Sequence, residues 1–252
     1  MQKESGDNAM KVLLVRLSSM CDLIHTLPAV NDLSVCRTDI ELHWLCEAGF
    51  ADIARLHPFV KKIHTLSWRQ WRKQLGKRET WQEIGRLKTN LRQEKFDLVL
   101  DSQSLIKRAL PAKMAGAPVW GLDKYSARES WAACLYNRVF SVPKGRDAVW
   151  RNRSLFAQAF GYELPEKLIF GAQIPEKGRL KTEKPYYVAL HATSRDSKLW
   201  QPRYWRELMR LMHERDGGTI YLPWGSEKEQ IRAESLSDGL PDVRVCDKMN
   251  MM

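Results

Sequence analysis

The sequence predicts an α/β protein of two doubly wound parallel-sheet domains, the second of them incomplete. Three observations carry this prediction. Strand-like and helix-like stretches alternate along the chain, as βαβ units require. The run "DLVLDSQ" (97–103) is nearly all apolar until Asp101, as expected for a parallel strand covered on both faces. The stretch "IPEKGRLKTEKP" (174–185) is charged and punctuated by prolines, so it reads as a linker, and a second βα series follows it.

Residues 1–9 are polar and read as a disordered extension, with Met10 opening the folded part. They lack the apolar core of a signal peptide. The first domain spans 10–173, and strands are expected there at 11–17, 41–46, 96–101 and 119–122. The first contains the strand-formers Val12, Leu13, Leu14 and Val15. Pro28 suits the first turn of a helix and not its interior, so residues 18–26 are expected to be a loop or an irregular turn. Trp81, Ile84, Leu87 and Leu91 recur at three- and four-residue steps and predict one apolar helix stripe. The second domain spans 186–252. Its expected elements are a strand at 186–192, a helix at 202–218, a strand at 219–224, a helix at 226–237 and a strand at 243–246. Pro202 near the start and glycines at the end bound the first of these helices. Tyr204, Trp205, Leu208, Leu211 and Met212 are its expected buried face. Three strands and two helices do not close a doubly wound domain, so a truncated or frameshifted chain is expected, with an open sheet edge and apolar surface.

The chain has 252 residues, 44% hydrophobic and 28% charged, enough for one large or two modest domains. Its net charge of +11 points to an anionic partner, such as nucleic acid, an acidic membrane surface or a phosphorylated ligand, or else serves only solubility. Cysteines stand at 21, 36, 46, 134 and 246. Their odd number and lack of CxxC spacing argue against a disulfide framework and a zinc site, and for a reducing compartment. No apolar run approaches the roughly 20 residues of a transmembrane helix. GxGxxG, GxxxxGK[ST], HExxH and GxSxG are all absent, which counts against dinucleotide oxidoreductases, P-loop NTPases, zincin proteases and elbow hydrolases.

Ligands of open α/β sheets bind beyond the carboxyl ends of the strands. Ser18, Ser19 and Asp22 follow the first strand and fall there. Asp22 has two readings: a general base for an acceptor hydroxyl, or a cap for helix N–H groups. His25 reads as a packed or solvated residue rather than a second base. A second loop, "LHATSRDSKLWQP" (190–202), offers the hydroxyls of Thr193 and Ser194 and the ammonium of Lys198, which suit phosphate oxygens or simply a polar surface. From 61 to 95 there are eleven Lys or Arg and three Glu. Within it, "SWRQWRK" interleaves Trp68 and Trp71 with Arg69, Arg72 and Lys73, as suits nucleic acid, anionic sugars or a lipid interface, or a plain solvated face.

Five ordered blocks together resemble the lipopolysaccharide heptosyltransferases, glycosyltransferase family 9 of the GT-B fold. They are "VRLSSMCDLIHTLPAV", "DLVLDSQSLIKRA", "ARESWAACLYNRVFSV", "LHATSRDSKLWQPRYWREL" and "YLPWGSEKEQIRA". The block "HATSRDSKLW" resembles the family's first heptosyltransferase more than its second. The resemblance implies two Rossmann-like domains with the active site between them. It implies inverting transfer of L-glycero-D-manno-heptose from ADP-heptose to a Kdo residue of Kdo2-lipid A, peripherally at the cytoplasmic face of the inner membrane. It further implies a monomer, no required metal or other cofactor, and no nucleic acid. By the same resemblance Asp22 matches the catalytic carboxylate and Lys198 a lysine on the diphosphate side. Ser18, Ser19, Thr193, Ser194, Glu229 and Met249 match donor-side positions. Arg69, Arg72, Lys73 and Arg128 match the surroundings of an anionic acceptor.

Two departures bear on activity. Cys21 and Ser104 stand where the family has glycine, and a side chain at a positive φ strains the backbone by about 1–3 kcal/mol. The family also continues into an Asp-Thr-Gly-x-x-His segment that is absent here. Loss of transfer is therefore expected, and an inactive remnant is the alternative reading, with a basic nucleic-acid binder behind it.

Overall fold

The computed structural model describes residues 9–174, 185–193 and 196–248. The chain divides into two compact units, Met1–Ile174 and Pro175–Met252. Residues 1–8 and 175–184, which hold most of the expected extension and linker, lie outside the described residues. Among the described residues, no helix is long and apolar enough to cross a membrane.

In chain order the first unit contains β1 (Met10–Val15), α1 (Met20–Ile24), α2 (Leu27–Cys36), β2 (Ile40–Glu47), α3 (Ala51–Arg55), β3 (Val60–Leu66), α4 (Trp68–Trp71) and α5 (Arg78–Gln93). It continues with β4 (Leu98–Asp101), α6 (Ile106–Lys113), β5 (Val119–Leu122), β6 (Arg138–Phe140) and α7 (Ala148–Phe160). All strand pairs are parallel, in the order β3-β2-β1-β4-β5-β6. That is the Rossmann order, and its reversal between β1 and β4 opens a crevice at their carboxyl ends.

The unbroken apolar run of β1 follows from burial on both sides: Val12 to Val15 are each 0% exposed. Val12 and Leu14 join Trp44, Leu98 and Leu100 in a core with Val30 and Leu33 of α2 and Leu155 and Phe156 of α7. Leu13 and Val15 face the opposite way, with Leu45 and Val99, onto Leu87 and Leu91 of α5. One ion pair fastens the first layer. Arg153 Nε of α7 donates to Asp32 Oδ2 of α2 at 2.6 Å, and both side chains are buried. The same guanidinium reaches the carbonyls of Pro165 and Lys167, fixing the chain after α7.

The inner strands lie where the sequence places them, whereas β3 and β6 carry no strand signal along the chain. Both lie at the edges of the sheet. β3 carries Lys61 and Lys62 outward, the usual protection of an open edge, and so reads as a basic surface stretch. The α5 stripe also needs correction. Leu87 and Leu91 are buried, whereas Trp81 is 58% exposed and donates Nε1–H to the Leu75 carbonyl.

Two buried histidines make this unit acid-sensitive. Burial lowers the pKa of His57 and of His64 from 6.5 to about 4. His57 Nδ1 already accepts the Phe59 N–H at 3.2 Å, leaving no room for a proton there. The unfolded imidazoles take up protons first, near 6.5, so stability holds above that pH and is lost as the pH falls toward 4. Urea unfolding is expected to show roughly 2 kcal/mol of loss per histidine between pH 6.5 and about pH 5. A flat profile across that window would contradict this assignment.

The second unit contains β7 (Tyr186–Val188), α8 (Pro202–Asp216), β8 (Thr219–Leu222), α9 (Glu227–Ser237) and β9 (Val243–Val245), with the parallel order β7-β8-β9. Successive right-handed crossovers in one direction place both helices on one face. Met209, Ile220, Leu222, Ala233 and Leu236 form its core, while Tyr186 and Val188 stay exposed. Gly217 ends α8 at φ 65, the left-handed cap that glycine supplies without strain. The buried face of α8 runs through Trp205, Met209 and Met212; Tyr204 and Leu211, expected inside, are 41% and 50% exposed. The expected face was displaced because its apolar residues cover more of the helix than the thin core can use.

Candidate active site

The segment after β1 is stapled to the turn after β4. Gln103 Oε1 accepts the Leu17 N–H at 3.1 Å, and Gln103 Nε2 donates to the Ser18 carbonyl. Asp101 builds that turn. Its Oδ1 accepts the N–H groups of Gln103 (2.8 Å) and Ser104 (3.3 Å), and its Oδ2 accepts the Tyr136 hydroxyl (2.8 Å). Full burial raises the pKa of Asp101, and these donors oppose the rise.

Ser104 in this turn has φ 51, a left-handed conformation suited to glycine. Cys21 does not: it is an exposed residue within α1, with no positive φ. The strain expected at Cys21 is therefore absent, because a helical backbone accepts any Cβ. Ser104→Gly is expected to stabilise the protein by about 0.5–1 kcal/mol, the relief of left-handed strain less the added freedom of the unfolded chain. Thermal unfolding would measure it, and a fall in stability would show that the Ser104 side chain contributes more by packing than it costs in strain.

Residues 18–26, expected to be a loop or an irregular turn, contain the short helix α1. Ser19 and Asp22 form a capping box: Asp22 Oδ2 accepts the Ser19 N–H at 2.8 Å and its hydroxyl at 3.2 Å. Asp22 Oδ1 lies 3.5 Å from Arg16 Nη2. The far end of α1 is held by Asn152, whose amide donates to the His25 carbonyl at 3.1 Å and to Thr26 Oγ1 at 3.3 Å. Thr26 Oγ1 donates in turn to the Asp22 carbonyl at 2.8 Å.

A cavity of about 160 Å³ opens here, at the switch point of the sheet. Asp22 lines it with Arg16, Arg128 and Arg151, and Ser102, Gln103 and Asn152 complete its polar wall. Asp22 is thus a helix cap and a cavity carboxylate at once. Three guanidiniums around one carboxylate leave an excess of positive charge, which fits an anionic ligand bearing a hydroxyl.

The second unit has its own cavity of about 500 Å³, lined by Thr193, Asp196, Lys228, Glu229 and Arg232 among others. Glu229 Oε2 accepts the N–H groups of Gly225 (2.9 Å) and Ser226 (3.0 Å), which hold its pKa down. Lys228 reaches Asp196 at 3.3 Å. Arg232 donates to the carbonyls of His191 and Trp200 and so fixes the loop bearing Thr193. Lys198 ends an exposed 3-10 turn, Asp196–Lys198.

Comparison with known proteins identifies the lineage. Residues 84–252 match the family model for glycosyltransferase family 9 (heptosyltransferase). The chain belongs to glycosyltransferase family 9. Lipopolysaccharide heptosyltransferase 1 of Pseudomonas aeruginosa is 41% identical over 96% of this chain and 68% of the relative. The protein of that name from Escherichia coli K12 is 37% identical over 96% of this chain and 76% of the relative. The solved E. coli heptosyltransferase WaaC with ADP-2-deoxy-2-fluoro heptose superimposes with a TM-score of 0.88 at 36% identity, covering 96% of this chain and 78% of that one. The chain is accordingly a glycosyltransferase of the GT-B class.

Within this family 9 chain, the residues expected at the site divide into groups. Asp22 and Arg128 share the first cavity, and Thr193 and Glu229 share the second. Ser18 is buried, its carbonyl held by Gln103, and Ser19 caps α1. Arg72 and Lys73 are exposed just after α4. Ser194, Met249 and the side chain of Arg69 lie outside the described residues. Arg16, Gln103, Arg151 and Asn152 line the first cavity and Lys228 and Arg232 the second, and no sequence motif marks any of them. Their only signal was position at strand ends and in α7 and α9, which a linear pattern does not distinguish from ordinary surface polarity.

Proposed function

We propose that this protein transfers L-glycero-D-manno-heptose from ADP-heptose to a Kdo hydroxyl of Kdo2-lipid A, with inversion, in assembly of the lipopolysaccharide inner core. One observation carries the reading: a carboxylate, Asp22, set among Arg16, Arg128 and Arg151 at the switch point of a Rossmann sheet. The names of the relatives support the reaction class and the bound ligand of WaaC supports the donor.

In this scheme Asp22 accepts the proton of the acceptor hydroxyl as that oxygen attacks the anomeric carbon. The new C–O bond forms while the bond to the ADP diphosphate breaks, so configuration inverts. Ser19 occupies Oδ2, which leaves Oδ1 as the proton acceptor. The arginines hold the carboxylate and phosphate groups of the acceptor. The second unit binds the donor, and Thr193, Lys198, Lys228 and Arg232 provide hydroxyl and positive charge for the departing diphosphate, with no metal assigned to the step. Work at the inner face of the membrane, as a peripheral protein, follows from an acceptor anchored by acyl chains.

The test is ADP release by the purified chain with ADP-heptose and Kdo2-lipid A, against controls lacking either one. Release only with both present, accompanied by a heptose mass increment on the acceptor, is the expected result. Release equal in all mixtures, or none, would reject the reading for this chain.

A further inference from the structure

On the α5 face of the first sheet, His43 and His64 meet Glu94, which follows α5. One nitrogen from each ring and one Glu94 oxygen all lie within 4.8 Å of one another. We propose that His43, His64 and Glu94 form a binding site for a divalent ion of the Zn²⁺ type, oriented by Glu41.

Hydrogen bonds fix the rings. His43 Nε2 is 2.9 Å from Glu41 Oε1, a carboxylate acceptor, so that nitrogen carries the proton and Nδ1 keeps its lone pair. His43 Nδ1 in turn lies 3.1 Å from His64 Nε2, so His64 donates there in the ion-free state. A carboxylate bonded behind an imidazole is the outer partner that metal-ligating histidines use to fix their direction. Tetrahedral Zn²⁺ requires ligand nitrogens about 3.3 Å apart, a few tenths from the spacing present. On binding, the proton on His64 Nε2 shifts to Nδ1 through solvent, and both facing lone pairs become available.

The protonation states suit ligation. Both rings are buried, which lowers their pKa values and keeps them neutral. Lys11 and Lys62 hold Glu94 ionised, with its pKa near 2. Its oxygens accept one ammonium each, and each retains a further lone pair. Glu41, Glu94, Lys11 and Lys62 sum to zero charge, so attraction comes from the imidazoles rather than from an anionic pocket. That selects Zn²⁺, Ni²⁺ or Cu²⁺ over Mg²⁺ and Ca²⁺, which require several oxygen ligands. The ion would tie β2, β3 and the chain entering β4 together, apart from the Asp22 cavity. Cysteine spacing gave no hint of this site, because its ligands are histidines on two strands and a glutamate after a helix.

The test uses untagged protein stripped with chelator and titrated with ZnCl₂ by calorimetry, with melting temperature read in parallel. One equivalent bound and a raised melting temperature are expected with ZnCl₂, and neither with MgCl₂. His64→Gln should weaken that equivalent at least tenfold and remove the melting shift, with an unchanged circular dichroism spectrum. CoCl₂ on the unaltered protein gives a second reading that needs no variant to fold: the visible absorption of a tetrahedral nitrogen and oxygen site. Absence of a zinc-induced shift in the unaltered protein, an equal shift in a folded His64→Gln, or a Co²⁺ spectrum of hexaaqua type would each overturn the proposal.

Discussion

Asp22→Asn is expected to lower heptose transfer by about 10²–10⁴-fold, the range for removing a general base. The loss should fall on kcat, since the arginines that hold the acceptor remain. Asparagine can still accept the Ser19 N–H through its carbonyl oxygen, so the cap on α1 survives in part. Asp22→Ala removes the carboxylate half of the capping box as well and should add about 0.5–1.5 kcal/mol of destabilisation, the usual net value of such a hydrogen bond. Comparing the two separates chemistry from scaffolding. The proposal requires both variants to be inactive, with only alanine melting clearly earlier. An Asp22→Asn enzyme within a few-fold of the unaltered rate would leave Asp22 as a cap alone and move the base elsewhere in the cavity.

Asp32→Ala is expected to destabilise the first unit by about 3–5 kcal/mol, because it strands a buried guanidinium. Asp32 is 2% exposed and Arg153 is 5% exposed. Without the carboxylate, Arg153 keeps the carbonyls of Pro165 and Lys167 among the described residues. The consequence reaches the site, since α7 also carries Arg151 and Asn152, and Asn152 anchors the end of α1. Urea unfolding followed by far-ultraviolet dichroism would measure the loss. The double replacement Asp32→Leu with Arg153→Met should lose much less, since it removes both charges together. A single-variant loss below about 1 kcal/mol would mean that water reaches Arg153 and that the pair contributes as weakly as a surface one.

Fold class and family were both readable along the chain. Continuous apolar strands such as Val12 to Val15 admit only a sheet covered on both faces, and that property is local enough to read along the chain. β1 and β4 were legible for this reason. The edge strands β3 and β6 were not, because an edge is defined by having no neighbour on one side. Asp22 was legible as a candidate because it follows a strand immediately. Its double use, with one oxygen on the Ser19 cap and the other toward Arg16, follows from long-range packing, which sets how the segment leaves β1. Arg151 and Asn152 lie more than a hundred residues away from Asp22 along the chain, and only the packing of α7 on α2 brings them to it. Cys21 and Ser104 show the same division. Both replace expected glycines, yet backbone conformation spares the first and strains the second. Composition states which side chain is present; the φ angle that gives it a cost belongs to the fold.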